Sequence, residues 1–144
     1  MSSRDKEAAA KREENEKLLV KAKQIYLGLD DLARLPELNE EELLLAMETR
    51  YKSDKIFSFV GPNLAVVNPF KMIDNLFSAE KLKLFQDAVR NNINPATLEP
   101  HIFGIAAVAM QQAQEGKRKQ AIVISGESGA GKTENTKFAI QFLT

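Results

Sequence analysis

The residues Gly126-Glu-Ser-Gly-Ala-Gly-Lys-Thr133 are where this sequence concentrates groups able to do chemistry. They complete the spacing Gly-x-x-x-x-Gly-Lys-Thr, and each fixed position has a physical role. Gly126, Gly129 and Gly131 allow backbone conformations that turn successive amide N–H groups inward, forming a concave nest for phosphate oxygens. Glu127, Ser128 and Ala130 occupy the variable positions and add their amides to that nest. Lys132 supplies a mobile ammonium that reaches the outer phosphates of a polyphosphate and offsets their repulsion. Thr133 offers a hydroxyl to Mg²⁺, a hard cation that prefers oxygen ligands and bridges phosphate oxygens. The ligands implied are ATP and Mg²⁺. The spacing assigns a cradle and no catalytic residue.

Such a loop needs a strand leading in and a helix leading out. Ala121-Ile-Val-Ile-Ser125 reads as a buried strand, and Phe138, Ala139, Phe142 and Leu143 fall at helical spacing beyond the loop. A helix starting near Lys132 would point its unpaired N–H groups and positive dipole end at the phosphates. A bare Gly-rich turn between strand and helix would have no use for a cation at Lys132.

Upstream, residues 2–24 are dense in Ala, Lys, Arg and Glu, and Glu7/Lys11 and Glu13/Lys17 stand four apart as helix-supporting pairs. The first half of this stretch has no apolar face. Leu18, Ala22, Ile25, Tyr26 and Leu29 then form one stripe, so the second half is expected to dock before Gly28 ends it. Residues 30–38 read as a loop interrupted by Pro36. Asn39 with Glu42 resembles a capping box opening a helix to about Tyr51. Residues 56–60 and 64–68 are short β-prone runs joined by Gly61-Pro62-Asn63, the signature of a hairpin. Ser78 can cap a helix with Leu82, Phe85, Ala88 and Val89 on one face, closed by Asn91-Asn92. Pro100 suits the first position of a further helix, 101–115, ended by Gly116. The trio Lys117-Arg118-Lys119 reads as a solvated connection. His101, the only histidine, supports packing or capping rather than a metal site or a dyad.

Composition narrows the classes. Twenty Lys and Arg balance twenty Asp and Glu over 144 residues, so no basic excess points to nucleic acid or an anionic membrane. The absence of cysteine excludes disulfides and thiolate chemistry. No apolar run is long enough to span a bilayer. The expectation is a soluble, intracellular protein without nucleic-acid partners or a membrane span.

The longer stretch Gly126 to Lys137, GESGAGKTENTK, resembles the extended phosphate loop of myosin motor domains. Further stretches resemble that family in the same order: Leu29-Asp-Asp-Leu with Leu38-Asn-Glu, Arg50-Tyr51 followed by Ile56, Ala65-Val-Val-Asn-Pro-Phe-Lys71, and Pro100-His-Ile-Phe103. The resemblance covers 29–144 and leaves 1–28 as a charged helical extension. It implies an α/β fold: an incomplete P-loop NTPase-type motor core, mostly helical, with a hairpin and a buried strand leading into the loop. It implies actin filaments as partner of the complete motor. It implies that Asn68-Pro69 closes over the adenine side, where an aromatic residue usually follows at a set offset. Here Leu76 stands at that offset and Phe77 one residue later, so the contact is displaced or altered. Glu134 and Asn135 resemble family residues near the base and ribose.

The small β-barrel that precedes many motor cores has no counterpart in residues 1–29. The two switch loops, the actin-binding surfaces, the converter and the lever would lie beyond Thr144. The expectation is therefore a motor-domain fragment whose actin-activated ATPase is negligible on its own; the alternatives are a different phosphate-loop nucleotide-binding enzyme, and a non-catalytic helical adaptor built on the N-terminal extension. Its strand 121–125 would lack the parallel neighbours supplied from further along the chain.

Overall fold

A computed structural model describes residues 2–116 and 118–144, so Lys117 of the expected basic connection lies outside the described residues; Arg118 and Lys119 are exposed. The elements run α1 (Ser3–Gly28), α2 (Glu40–Lys52), β1 (Phe57–Val60), β2 (Asn63–Val66), α3 (Ala79–Arg90), α4 (Ile102–Gly116) and α5 (Lys132–Leu143), with 3₁₀ turns at Leu32–Arg34 and Pro95–Thr97. The chain is mostly helical with one antiparallel hairpin. No described helix is long and apolar enough to cross a membrane.

Ser2 and Asp5 cap α1 reciprocally, and Glu13 pairs with Lys17 at 2.7 Å. Only the end of α1 docks. Tyr26 is buried and Ala22 and Leu29 pack beside it, whereas Leu18 and Ile25 stay more than half exposed. The expected stripe is thus narrower than its spacing implies, because the small core of Tyr26, Leu32, Leu35 and Ala46 reaches back no further than Ala22. The Tyr26 hydroxyl donates to the Glu42 carboxylate, which pushes the Tyr26 phenol up to about 12. This interaction engages the side chain that a full capping box would turn back on Asn39. Asn39 Oδ1 still caps α2, accepting from the Glu42 amide at 2.8 Å. The loop after α1 is more ordered than its composition suggests: Asp31 Oδ1 holds the Ala33 amide at 3.0 Å, and the resulting 3₁₀ turn buries Leu32 completely.

Arg50 joins α1, α2 and the hairpin. It is 1% exposed. Its guanidinium donates to the carbonyls of Tyr26 (3.2 Å), Leu29 (2.7 Å) and Phe57 (3.1 Å), its Nε donates to Ser58 Oγ (2.8 Å), and it pairs with Asp30 at 3.2 Å. The Tyr26 and Leu29 carbonyls are at the C-terminal end of α1, where a helix lacks partners of its own. A planar fork of five donors satisfies them together, which a single ammonium could not do.

The hairpin pairs Phe57 with Val66 and Val60 with Asn63 around the two-residue loop Gly61-Pro62. Its ladder is shorter than the expected 56–60 and 64–68, although the Val67 amide still donates to the Ile56 carbonyl at 3.0 Å. On the outer edge of β1 the Phe59 amide donates to the Asp30 carbonyl at 2.8 Å, and Asp31 bridges Phe59 in parallel. The chain segment just after α1 is thereby stitched to the sheet.

The main core is aromatic. Phe57, Phe85, Phe103 and Phe142 are buried where α4 packs against α3 and α5. Gly104 permits the α3–α4 approach, since a Cβ there would lie 3.1 Å from Phe85 Cε1, an atom of a fully buried ring. His101 is fully buried among these rings, 4.6 Å from the Phe103 centroid and 4.8 Å from that of Phe57. Its Nδ1 accepts from the Phe103 amide (2.9 Å) and its Nε2–H donates to the Leu76 carbonyl (2.8 Å). Packing and capping are therefore both its roles. Because the imidazole caps the helix, α4 begins at Ile102 and Pro100 lies outside it, a correction to the expected start.

Burial pushes the His101 imidazolium down to about 4, helped by Lys81 and opposed by the Leu76 carbonyl and Glu99. An unfolded imidazole titrates near 6.5. Between these values the unfolded chain binds more protons than the folded one, so this contribution is complete above pH 6.5 and shrinks as pH falls toward 4. The expected loss is up to about 3 kcal/mol by pH 4. Urea unfolding at pH 7.5 and pH 5 should show the decline in wild type, and His101→Gln should flatten it. A slope unaltered by His101→Gln would count against the assignment.

The expected buried strand 121–125 is not found as such. These residues join no ladder, and Val123 is 87% exposed. The only strands among the described residues are β1 and β2, and they pair with each other, so the apolar character of Ala121-Ile-Val-Ile-Ser125 has no sheet to enter. Ile122 and Ile124 are half-buried and line one wall of a groove of about 1040 Å³ between the hairpin and α4.

Candidate phosphate-binding site

α5 forms because Phe138, Ala139 and Phe142 share a face against the aromatic core, with Ala139 and Phe142 buried and Phe77 stacked on Phe138 at 3.5 Å. Anchoring that face fixes the N-terminus of α5 at the loop. Gly131 is the N-cap residue with φ 95, and Gly129 has φ 82. Both values belong to the left-handed region that L side chains enter at a cost, which accounts for glycine at each. Gly131 offers no side chain, and no side-chain hydrogen bond caps α5.

The loop's backbone donors, that of Ala130 apart, are consequently unengaged. From Gly126 to Thr133, the only amide meeting another backbone carbonyl outside regular helix or strand bonding is that of Ala130, bonded to Glu127 at 3.1 Å. Gly126, Glu127, Ser128 and Gly129 are exposed, and Ala130 and Gly131 are half-buried. Lys132 is exposed and folds back across the loop, its Nζ donating to the Gly126 carbonyl at 2.5 Å. Free amides at a helix start beside an ammonium held by a single carbonyl make an arrangement that accepts an anion.

Thr133 sits exposed in the first turn of α5, while Thr136 one turn later is bonded back to the Lys132 carbonyl at 2.8 Å. No group of three or more His, Asp or Glu able to hold a metal ion occurs among the described residues. A lone hydroxyl beside an anion cradle fits Mg²⁺, which takes few protein ligands and draws the remainder from phosphate and water. It does not fit a cation needing an all-protein cage.

Asn68, distant in sequence, is brought to the loop. Its Nδ2 donates to the Gly129 carbonyl at 2.8 Å, and its Oδ1 accepts from the Phe70 amide at 2.9 Å. Glu134 is exposed and pairs with Lys137 at 3.0 Å. Asn135 Nδ2 donates to the Gly131 carbonyl at 3.0 Å, while its Oδ1 is buried without a partner and the residue lines the groove. Phe77 is not at the loop. It lies in the aromatic core, edge-on to Phe57 and Phe103. The carbonyl of Leu76 is taken by His101. The Asn68 bridge was not derivable from sequence, since a contact spanning the fold leaves no local pattern.

A family model for the myosin head (motor domain) matches residues 29–144. The chain is 44% identical over 115 residues to unconventional myosin-IXa of Homo sapiens, covering 80% of this chain and 4% of that protein. It is 40% identical over 116 residues to unconventional myosin-VI of Sus scrofa, covering 81% of this chain and 9% of that protein. It is also 40% identical over 120 residues to myosin-4 of Arabidopsis thaliana, covering 83% and 10%. The chain thus spans a tenth or less of the length of these relatives. Similarity at this level across four fifths of the sequence, on top of the ordered stretches that end in Gly126–Lys137, means that this chain belongs to the myosin head (motor domain) family.

Proposed function

We propose that residues 126–133 bind the polyphosphate of ATP, with Lys132 countering its charge and Thr133 contributing a hydroxyl to Mg²⁺, as the nucleotide-binding part of an actin-based motor. The observation that carries this reading is the set of unengaged amides in the loop, that of Ala130 apart, beside the Lys132 ammonium. Magnesium, held on the protein side by the Thr133 hydroxyl, would supply positive charge that offsets that of the phosphates. This chain's residues would supply amide donors, an ammonium and a positive helix end. Residues 1–28 form an extension and 29–144 the motor part in this reading, and the whole protein would act in the cytoplasm on the actin cytoskeleton. The test is calorimetric titration of the chain with ATP and Mg²⁺, compared with Lys132→Ala. Undiminished affinity in Lys132→Ala, or none in wild type, would refute the proposal.

Binding and turnover separate here. Phosphoryl transfer needs groups that orient an attacking water and hold the metal's far side as well as a cradle. The 144 residues contain neither an Asn-x-Asn-Ser-Ser-Arg nor an Asp-Ile-x-Gly-Phe-Glu stretch, the switch motifs of the family. The expected steady-state ATPase rate of this chain equals that of Lys132→Ala, and a phosphate-release assay showing wild type clearly faster would sink the expectation. The segment 121–125 and its groove are where parallel strands of a complete motor sheet would add.

A further inference from the structure

The core beside α1 reaches back to Ala22, and every described residue before it is exposed. At 1.5 Å per residue, Ser3 to Lys21 therefore form a free helical arm of about 28 Å. The family match starts at residue 29, so this arm lies outside it. Most helical stability in a folded protein comes from packing an apolar face, yet the apolar side chains here lack cover: Leu18 is 58% and Ile25 54% exposed. They share a stripe with Glu14 and Lys21, because steps of four, three and four residues stay on one side of a helix. That stripe runs beside the face which Ala22 and Tyr26 turn to the core. Glu13 pairs with Lys17 inside the helix, whereas Glu14 and Lys21 have no ion-pair partner among the described residues. The arm thus presents an acid, an apolar centre and a base in that order, all turned to water.

We propose that α1 is a self-association surface, pairing antiparallel with α1 of a second copy of this chain about a two-fold axis at Leu18. The order of charges selects both the partner and the direction. With Leu18 facing Leu18 of the second copy, Glu14 of each chain comes opposite Lys21 of the other, and the two-fold axis makes that pair twice. A parallel, in-register pair would set Glu14 on Glu14 and Lys21 on Lys21, which repels. A partner of one charge sign would answer only half of the stripe, whereas the chain's own sequence in reverse direction answers all of it. On the same alignment Ile25 comes opposite Lys11, whose methylene stem covers it while the ammonium stays in water.

Analytical ultracentrifugation of the 144-residue chain tests this. The weight-average mass should rise with concentration from that of one chain toward that of two, and Leu18→Glu should hold it at one throughout. Glu14→Lys and Lys21→Glu should each raise the dissociation constant about ten-fold, since two symmetric pairs become repulsive, and the double variant E14K/K21E should recover most of that loss. Direction is read from disulfides, which the absence of native cysteine makes unambiguous. Under oxidised glutathione, an equal mixture of Glu14→Cys and Lys21→Cys chains should give the mixed disulfide in more than the half share that random collision yields. The same measurement serves if circular dichroism shows that a charge-reversed variant has lost helix. Four outcomes would overturn the proposal: a chain that stays single at every concentration, self-association untouched by Leu18→Glu, a double variant of full helicity no better than either single one, or disulfides that favour like chains.

Discussion

Arg50→Met should lower the unfolding free energy by about 3–5 kcal/mol, the largest single-residue stability loss expected in this chain. Methionine keeps much of the side chain's length and apolar stem, so the loss isolates the guanidinium. That group is buried and donates to the carbonyls of Tyr26, Leu29 and Phe57, to Ser58, and to Asp30. Its removal strands acceptors at the end of α1 and in β1, and each buried orphan costs about 1–3 kcal/mol. Asp30 matters less, because its side chain is half exposed and water replaces the lost partner. Arg50→Lys should recover little, since one ammonium cannot address carbonyls on two elements at once. Urea titration is the measurement, with an unchanged m-value marking a loss of stability rather than a change in the exposed surface. Limited proteolysis should also show cleavage near Gly28–Asp31, because Arg50 ties that junction to the hairpin. A variant as stable as wild type would mean that the network is dispensable.

Lys132→Ala should weaken ATP binding by about ten- to 150-fold, the range of losing a hydrogen bond to a charged group. Fold stability should barely change, because Lys132 is exposed and its one bond in the free chain is to the Gly126 carbonyl. The affinity of wild type should fall with added salt, and that of Lys132→Ala should fall less steeply, since one screened attraction is gone. Isothermal titration at two ionic strengths measures both effects. Parallel salt slopes would show that the ammonium does not face the phosphates.

The legible parts of this chain are those that nearest neighbours in sequence decide. The Gly126–Thr133 spacing, the Ser78 and Asn39 caps, the Gly61-Pro62 turn and the periodic face of α3 are set by local backbone sterics and short hydrogen bonds. The helix α5 was likewise visible from apolar residues recurring at helical spacing, and α4 from Pro100 ahead of it and Gly116 at its end.

The misreadings arose where a residue's partner lies elsewhere in the fold. Ala121-Ile-Val-Ile-Ser125 has the composition of a buried strand, but burial requires neighbouring strands that a run of five residues cannot specify. Leu18 and Ile25 have the spacing of a docked face, but the opposing core ends at Ala22. Sequence by itself determined the family and carries the proposed chemistry of the Gly126–Thr133 loop, because both are written in contiguous residues whose types have few other uses. Tertiary structure alone decided that Arg50 seals the end of α1, that His101 is a neutral buried cap, that Phe77 serves the core, and that Asn68 couples Phe70 to Gly129. Each of those outcomes depends on a hydrogen bond or ring contact between segments far apart along the chain, and the energy of such a contact exists only once the fold has brought its two halves within reach.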